Sequence, residues 1–237
     1  MLIHLVSGPR NISTALMYAF AQRHDTVVLD EPFYAHYLTQ TGLPHPGRAE
    51  VLASQSADAT EVMQQIQALE KQQEVVFVKN MGHHLSGLDW QTLAEWTTVF
   101  LVRDPAQMLF SYQKVIENAS LDDLGLAQQE AFRAYLQEAG KPYAVLEGNE
   151  VRKNPEGVLN TLCQQIHLPF EKAMLHWPAG PKTYDGSWAP YWYANVHAST
   201  RFSPPDTKEI HLDSTSQAVL AQALPYYKNF QELSIKA

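Results

Sequence analysis

The 237-residue chain contains one cysteine, Cys163. A lone thiol excludes an internal disulfide and leaves no cysteine pair for a zinc ribbon or a redox C-x-x-C site, which fits a reducing, cytoplasmic setting. Positive charge is also scarce: 17 Lys plus Arg stand against 25 Asp plus Glu, a formal charge of −8 with histidine neutral. Proteins that track phosphate backbones need a basic face to release counterions, so the charge argues against a general nucleic-acid binder. No apolar run approaches the ~18 residues of a membrane span, and the short apolar start Met1 to Val6 has no basic region before it. Neither membrane insertion nor secretion is expected. Internal repeats and low-complexity tracts are missing as well. Hydrophobic residues make up 45% of the chain and charged residues 18%, which is enough apolar material for a large core. A single domain over residues 1–237 is the expectation at this length.

Short apolar runs alternate with longer amphipathic segments, the pattern of βα units on a parallel sheet. The runs are Leu2 to Val6, Thr26 to Leu29, Val75 to Val78, Val99 to Val102 and Tyr143 to Leu146. Each is followed by polar or charged residues, as for buried strands whose C-terminal ends open onto a site. Helical spacing predicts helices over Ser13 to Arg23, Glu61 to Lys71, Ala106 to Glu117 and Ala127 to Ala139. Asn154-Pro155 reads as an N-cap followed by a proline at the first helical position, with Pro169 as the stop. Loops are marked by Gly42 to Gly47, by the long aromatic stretch Pro178 to Pro190, and by Pro204-Pro205. Long loops inside a domain are usually functional or mobile, so 178–205 is a candidate lid or acceptor-side region.

The first strand runs through Ser7-Gly8-Pro9-Arg10-Asn11-Ile12-Ser13-Thr14 straight into a helix, where free backbone N–H groups and the helix dipole converge. That is an anion site. It lacks G-K-[ST], so the Walker A reading fails. The plainer alternative is an ordinary loop capped by Ser13, with Arg10 solvated.

These residues resemble the sulfotransferase family. The family's loop Pro-Lys/Arg-Ser-Gly-Thr-Thr/Ser-x-Leu is matched by Pro9-Arg10-Asn11-Ile12-Ser13-Thr14-Ala15-Leu16, with Asn11 and Ile12 standing where the family has Ser and Gly. A second likeness is the strand leading to Arg103-Asp104-Pro105, with Ser111 eight residues after the arginine; the alternative is a surface pair of Arg103 with Asp104. A third covers Tyr143 to Leu159 and Leu168-Pro169-Phe170. The resemblance extends over roughly residues 1 to 170, and the family's later Gly-x-x-Gly-x-x-Lys loop is missing, with Gly180-Pro-Lys182 and Trp188 to Tyr193 as substitutes.

The resemblance implies a three-layer α/β, P-loop NTPase-like fold with a central, mainly parallel sheet of about five strands. It implies transfer of a sulfuryl group from 3′-phosphoadenosine 5′-phosphosulfate (PAPS) to a hydroxyl or amine of a small-molecule acceptor, with no metal. Pro9, Arg10, Asn11, Ile12, Ser13 and Thr14 would hold the phosphosulfate, and Arg103 and Ser111 the 3′-phosphate. Arg201 is a further phosphate candidate. Arg10 would also meet charge developing on the bridging oxygen.

For the base, the resemblance favours Glu31, which follows the second strand. His84 is the rival, because an imidazole titrates near neutrality whereas a carboxylate needs burial or a neighbouring charge. Lys79 is assigned to substrate or sulfuryl-oxygen contact. A nucleotide-dependent phosphotransferase and a noncatalytic anion-binding member of the fold are the other readings.

Overall fold

The structure is a computed structural model that describes residues 1–113, 119–205 and 209–237. Its centre is a five-stranded parallel sheet in the order β2-β3-β1-β4-β5. The strands are β1 (Leu2–Ser7), β2 (Thr26–Asp30), β3 (Val75–Met81), β4 (Thr97–Val102) and β5 (Tyr143–Glu147). They coincide with the apolar runs, but β3 continues past Val78 because Lys79 and Asn80 find partners inside the protein and are fully buried.

Alternation along the strands builds two cores. Leu2, Val6, Val76, Val78, Phe100 and Val102 face one side, and Ile3, Leu5, Val75, Phe77, Val99 and Leu101 the other. Fully burying each such side chain contributes about 1.5–3 kcal/mol.

The second face is covered by α1 (Ser13–Phe20). The chain then forms α2 (Tyr34–Thr41), which packs on an aromatic cluster with Trp188 and Tyr193. The first face receives α3 (Ala59–Glu70), α4 (Pro105–Tyr112) and α5 (Leu126–Glu138). Two further helices, α6 (Gly148–Lys153) and α7 (Pro155–Gln165), join α1 on the second face. Last, α8 (Ser214–Leu233) returns to the first face.

Asn154 caps α7 as expected, its Oδ1 accepting from the Gly157 N–H at 3.1 Å. The helix ends before Pro169, however. His167 takes a left-handed φ of 56° and the Leu168 N–H returns to the Cys163 carbonyl at 2.8 Å, so a backbone turn is the stop. Apolar spacing identified neither α2, whose last turn is Thr39-Gln40-Thr41, nor α8, which carries Pro225 inside it. The helix expected over Ala106 to Glu117 is present as α4, and residues 114–117 of that expectation lie outside the described residues. Pro178 to Pro190 is irregular, but its continuation makes two short helical turns, Ala189–Trp192 and Ala194–His197. No helix among the described residues is long and apolar enough to cross a membrane.

Candidate active site

Parallel strands put the ends of β1, β2, β3 and β4 on one edge of the sheet. After β1 the backbone passes so close to α4 that a Cβ on Gly8 would stand 2.5 Å from Met108 Cε. Arg10 then takes a left-handed φ of 55°, whereas Ile12 sits at φ −93°. The position where the family pattern has glycine therefore needs no glycine here; the sterically restricted conformation has moved to Arg10. Asn11 braces the loop, its Oδ1 accepting from the Ile12 N–H at 2.8 Å and its Nδ2 donating to the Leu101 carbonyl at 3.2 Å. The N-cap of α1 is Ile12, not Ser13, and it supplies no side-chain hydrogen bond. The first turn, Ser13 to Ala15, borders a cavity of about 430 Å³. This is a helix start with unsatisfied donors and a positive dipole end beside a void.

Because β1 and β4 are neighbours, Arg103 lies beside this loop although it is 93 positions from Arg10, and its Nη1 donates to the Arg10 carbonyl at 2.6 Å. Its Nε donates to Gln107 at 2.9 Å, while Asp104 caps α4 through the Ala106 N–H. The alternative surface pair of Arg103 with Asp104 is thus not formed. Arg10 is half-buried, and its Nε donates to Ser111 Oγ at 3.0 Å on the next helix. Burial, then the guanidinium of Arg152 and, after the opposing Glu147, that of Arg10 lower the pKa of Arg103; burial lowers that of Arg10. Positive groups held close together and partly desolvated favour an anion between them.

A second cluster forms at the ends of β2 and β3, where Asp30 is in register with Lys79. The Lys79 ammonium is fully buried and donates to Asp30 Oδ1, Glu31 Oε1 and the Tyr193 hydroxyl, each at 2.6 Å. Its three N–H bonds are therefore directed to protein acceptors, which differs from the expected substrate contact. Tyr193 in turn donates to Asp30 and accepts from the Trp188 indole at 3.1 Å, and the Gly186 N–H donates to Asp30 Oδ2 at 3.0 Å. Glu31 adopts a left-handed φ of 45°. Its pKa is raised, first by burial; Lys79 opposes this and Asp30 adds to it.

His84 Nδ1 is 3.8 Å from Glu31 Oε2, too far for a hydrogen bond, and its ring stacks on Tyr34 with centroids 4.7 Å apart. The whole residue is inaccessible, and burial pushes its pKa well below the usual imidazole value, with His83, His45 and Lys79 adding to the effect.

The catalytic and donor-binding candidates from the sequence, Pro9 through Thr14, Glu31, Lys79, His84, Arg103, Ser111 and Arg201, line the same cavity. Lys182 does not: its ammonium lies over the Tyr18 ring and donates to the carbonyls of Pro178 and Gly180. Sequence reasoning missed Arg152, which also lines the cavity and binds the Ser203 carbonyl at 2.8 Å. Its signal was its place in the first helix after β5. Tyr193 was noticed only as one member of an aromatic run. Among the described residues no group of three or more His, Cys, Asp or Glu is arranged to hold a metal ion.

Comparison with known proteins bears on this architecture. A sulfotransferase domain of the Synechococcus PCC 7002 olefin synthase superposes with a TM-score of 0.55 at 15% identity, covering 93% of each chain. A sulfotransferase from Alicyclobacillus acidocaldarius gives 0.58 at 12% identity over 99% of this chain and 96% of its own. Identities this low establish the shared fold, the three-layer, P-loop-like α/β arrangement. Branched-chain-amino-acid aminotransferase-like protein 2 of Arabidopsis thaliana is 37% identical over 226 residues, which is 95% of this chain and 40% of that relative's length. The chain thus spans less than half of that relative. The sulfotransferase domain family model matches residues 1–234, nearly the whole sequence. On that match, with the fold in agreement, this chain belongs to the sulfotransferase domain family.

Proposed function

We propose that the protein transfers a sulfuryl group from PAPS to a hydroxyl or amine of a small-molecule acceptor. The observation that carries the reading is that an arginine–serine cluster, an uncapped helix start and a buried carboxylate of raised pKa border one cavity. The residues fit the donor. Arg10, Arg103 and Ser111 lie within hydrogen-bonding distance of one another or of shared backbone, and the first turn of α1 lacks a side-chain cap. When bound, PAPS supplies an activated sulfuryl group whose departure leaves adenosine 3′,5′-bisphosphate.

Arg103 and Ser111 would hold the 3′-phosphate, with Arg152 and Arg201 close by, and the loop from Pro9 to Thr14 the 5′ side. Glu31 is the preferred base: it borders the cavity, and burial brings its proton affinity nearer to neutral pH. His84 is less suited, because burial and the neighbouring His83, His45 and Lys79 depress its basicity. Residues 178–205, through Trp188 and Tyr193, would wall the acceptor side.

Calorimetric titration with adenosine 3′,5′-bisphosphate tests the proposal. Binding is expected, weakened about tenfold or more by Arg103→Ala, since a charged hydrogen bond contributes about 1.5–3 kcal/mol, and less by Ser111→Ala. Glu31→Gln is expected to retain that affinity and to reduce turnover by roughly 10²-fold or more. Absence of binding by the parent protein rejects the reading.

A further inference from the structure

Resting on that reading of Glu31 as the base, we infer that Asp30, clamped by Tyr193 and the Gly186 backbone, is a positioning residue that competes with Glu31 for the Lys79 ammonium and so keeps the Glu31 carboxylate able to accept a proton. The geometry sets up the competition. Lys79 lies 2.6 Å from one oxygen of each carboxylate, and all three groups are buried. An ammonium held by Glu31 alone would suppress its basicity, as a single opposite charge at contact distance does. A second carboxylate on the same ammonium divides that attraction and adds a like-charge repulsion.

Asp30 is fixed for this role from outside its own strand. The Tyr193 hydroxyl lies 2.9 and 2.8 Å from its two oxygens, and the Gly186 N–H donates to Oδ2 at 3.0 Å. The Trp188 indole fixes Tyr193 in turn. Tyr193 and the Trp188 indole also face Glu31, the indole lowering its pKa by a hydrogen bond, and His84 from the turn after β3 and Tyr34 from α2 complete its surroundings. Neither His84 nor Tyr34 is charged at neutral pH, because burial lowers the imidazole pKa and raises that of the phenol. Burial is the first cause of the raised Glu31 pKa, and Asp30 and Lys79 are the charged partners that act on it in opposite senses, Lys79 lowering it and Asp30 raising it.

The test reads Glu31 directly and needs no acceptor. The side-chain carboxyl carbon of Glu31 is followed by ¹³C NMR against pH in the full chain, with Glu31→Gln identifying the resonance. Asp30→Asn is expected to move its titration to lower pH by about one unit or more, because Lys79 then serves Glu31 alone. Lys79→Met is expected to move it the other way. If Asp30→Asn does not fold, Asp30→Ser takes its place. An unmoved or upward-moving Glu31 titration in the folded Asp30 variant overturns the inference. The bisphosphate titration above is independent of it: binding with an unmoved Glu31 rejects the inference alone, and no binding rejects the sulfuryl-transfer reading.

Discussion

Of the three non-glycine residues in the left-handed region among the described residues, two, Arg10 at φ 55° and Glu31 at φ 45°, border the cavity. Such backbone costs about 1–3 kcal/mol and persists only where neighbours over-determine it. Glu31 meets that condition: its N–H donates to the Lys79 carbonyl at 2.8 Å, and its own carbonyl accepts from the Tyr34 N–H and the Gln55 side chain. At Arg10 the strain leads to a comparison of two variants. Both Arg10→Ala and Arg10→Gly lose the bond to Ser111, but only glycine relaxes the backbone, so Arg10→Gly should unfold at a higher urea midpoint than Arg10→Ala, reflecting about 1 kcal/mol more stability. Equal midpoints would show that the loop, not the residue, bears the strain. Some of these residues were legible in the sequence and others were not, for a physical reason. Arg10, Arg103 and Glu31 announce themselves by following apolar runs, whereas Arg152 and Tyr193 acquire their roles only through partners 51 and 114 positions away.

Two helix starts contrast at the scale of elements. Asn154 supplies α7 with its own cap, while Ile12 supplies α1 with none, and α1 is the one whose first turn borders the cavity. Removing the first cap should be purely structural. Asn154→Ala is expected to cost about 1 kcal/mol in urea unfolding and to leave bisphosphate affinity unchanged. Placing a carboxylate at the second start should compete with a bound anion, so Ile12→Asp is expected to weaken bisphosphate binding about tenfold. Calorimetry on the two variants separates the cases, and equal affinities would argue that α1 does not face the ligand. The absence of a cap was itself unreadable beforehand, because Ser13 is an equally good local candidate and only the path of the backbone through Arg10 puts Ile12 at the boundary.

For the molecule as a whole, stability against acid follows from buried imidazoles. Burial lowers the pKa of His4 to about 3, and burial together with His45 lowers that of His83 to about 3, from 6.5 in the open chain. The unfolded chain therefore binds more protons below pH 6.5, and the contribution of each group, complete above that value, is lost as the pH falls. By pH 5 the loss from each amounts to about 2 kcal/mol. Glu31 and Glu147, whose pKa values burial raises, act in the opposite sense and relieve strain as they take up protons. Urea unfolding at pH 7.5 and pH 5 should show a marked loss, reduced in His4→Gln; a loss of the same size in that variant would remove His4 as a source. The sequence by itself determined the sheet, its strands and the polar residues that follow them, Arg10, Glu31 and Arg103 among them, because alternation and residues at strand ends are local and each signal is complete within a few positions. The tertiary structure alone decided that the lysine after Val78 is enclosed by Asp30, Glu31 and Tyr193, that Ser111 meets Arg10, and that His84 stacks on Tyr34. Those outcomes depend on which strands become neighbours and on where a distant aromatic segment lands, and no local pattern encodes either.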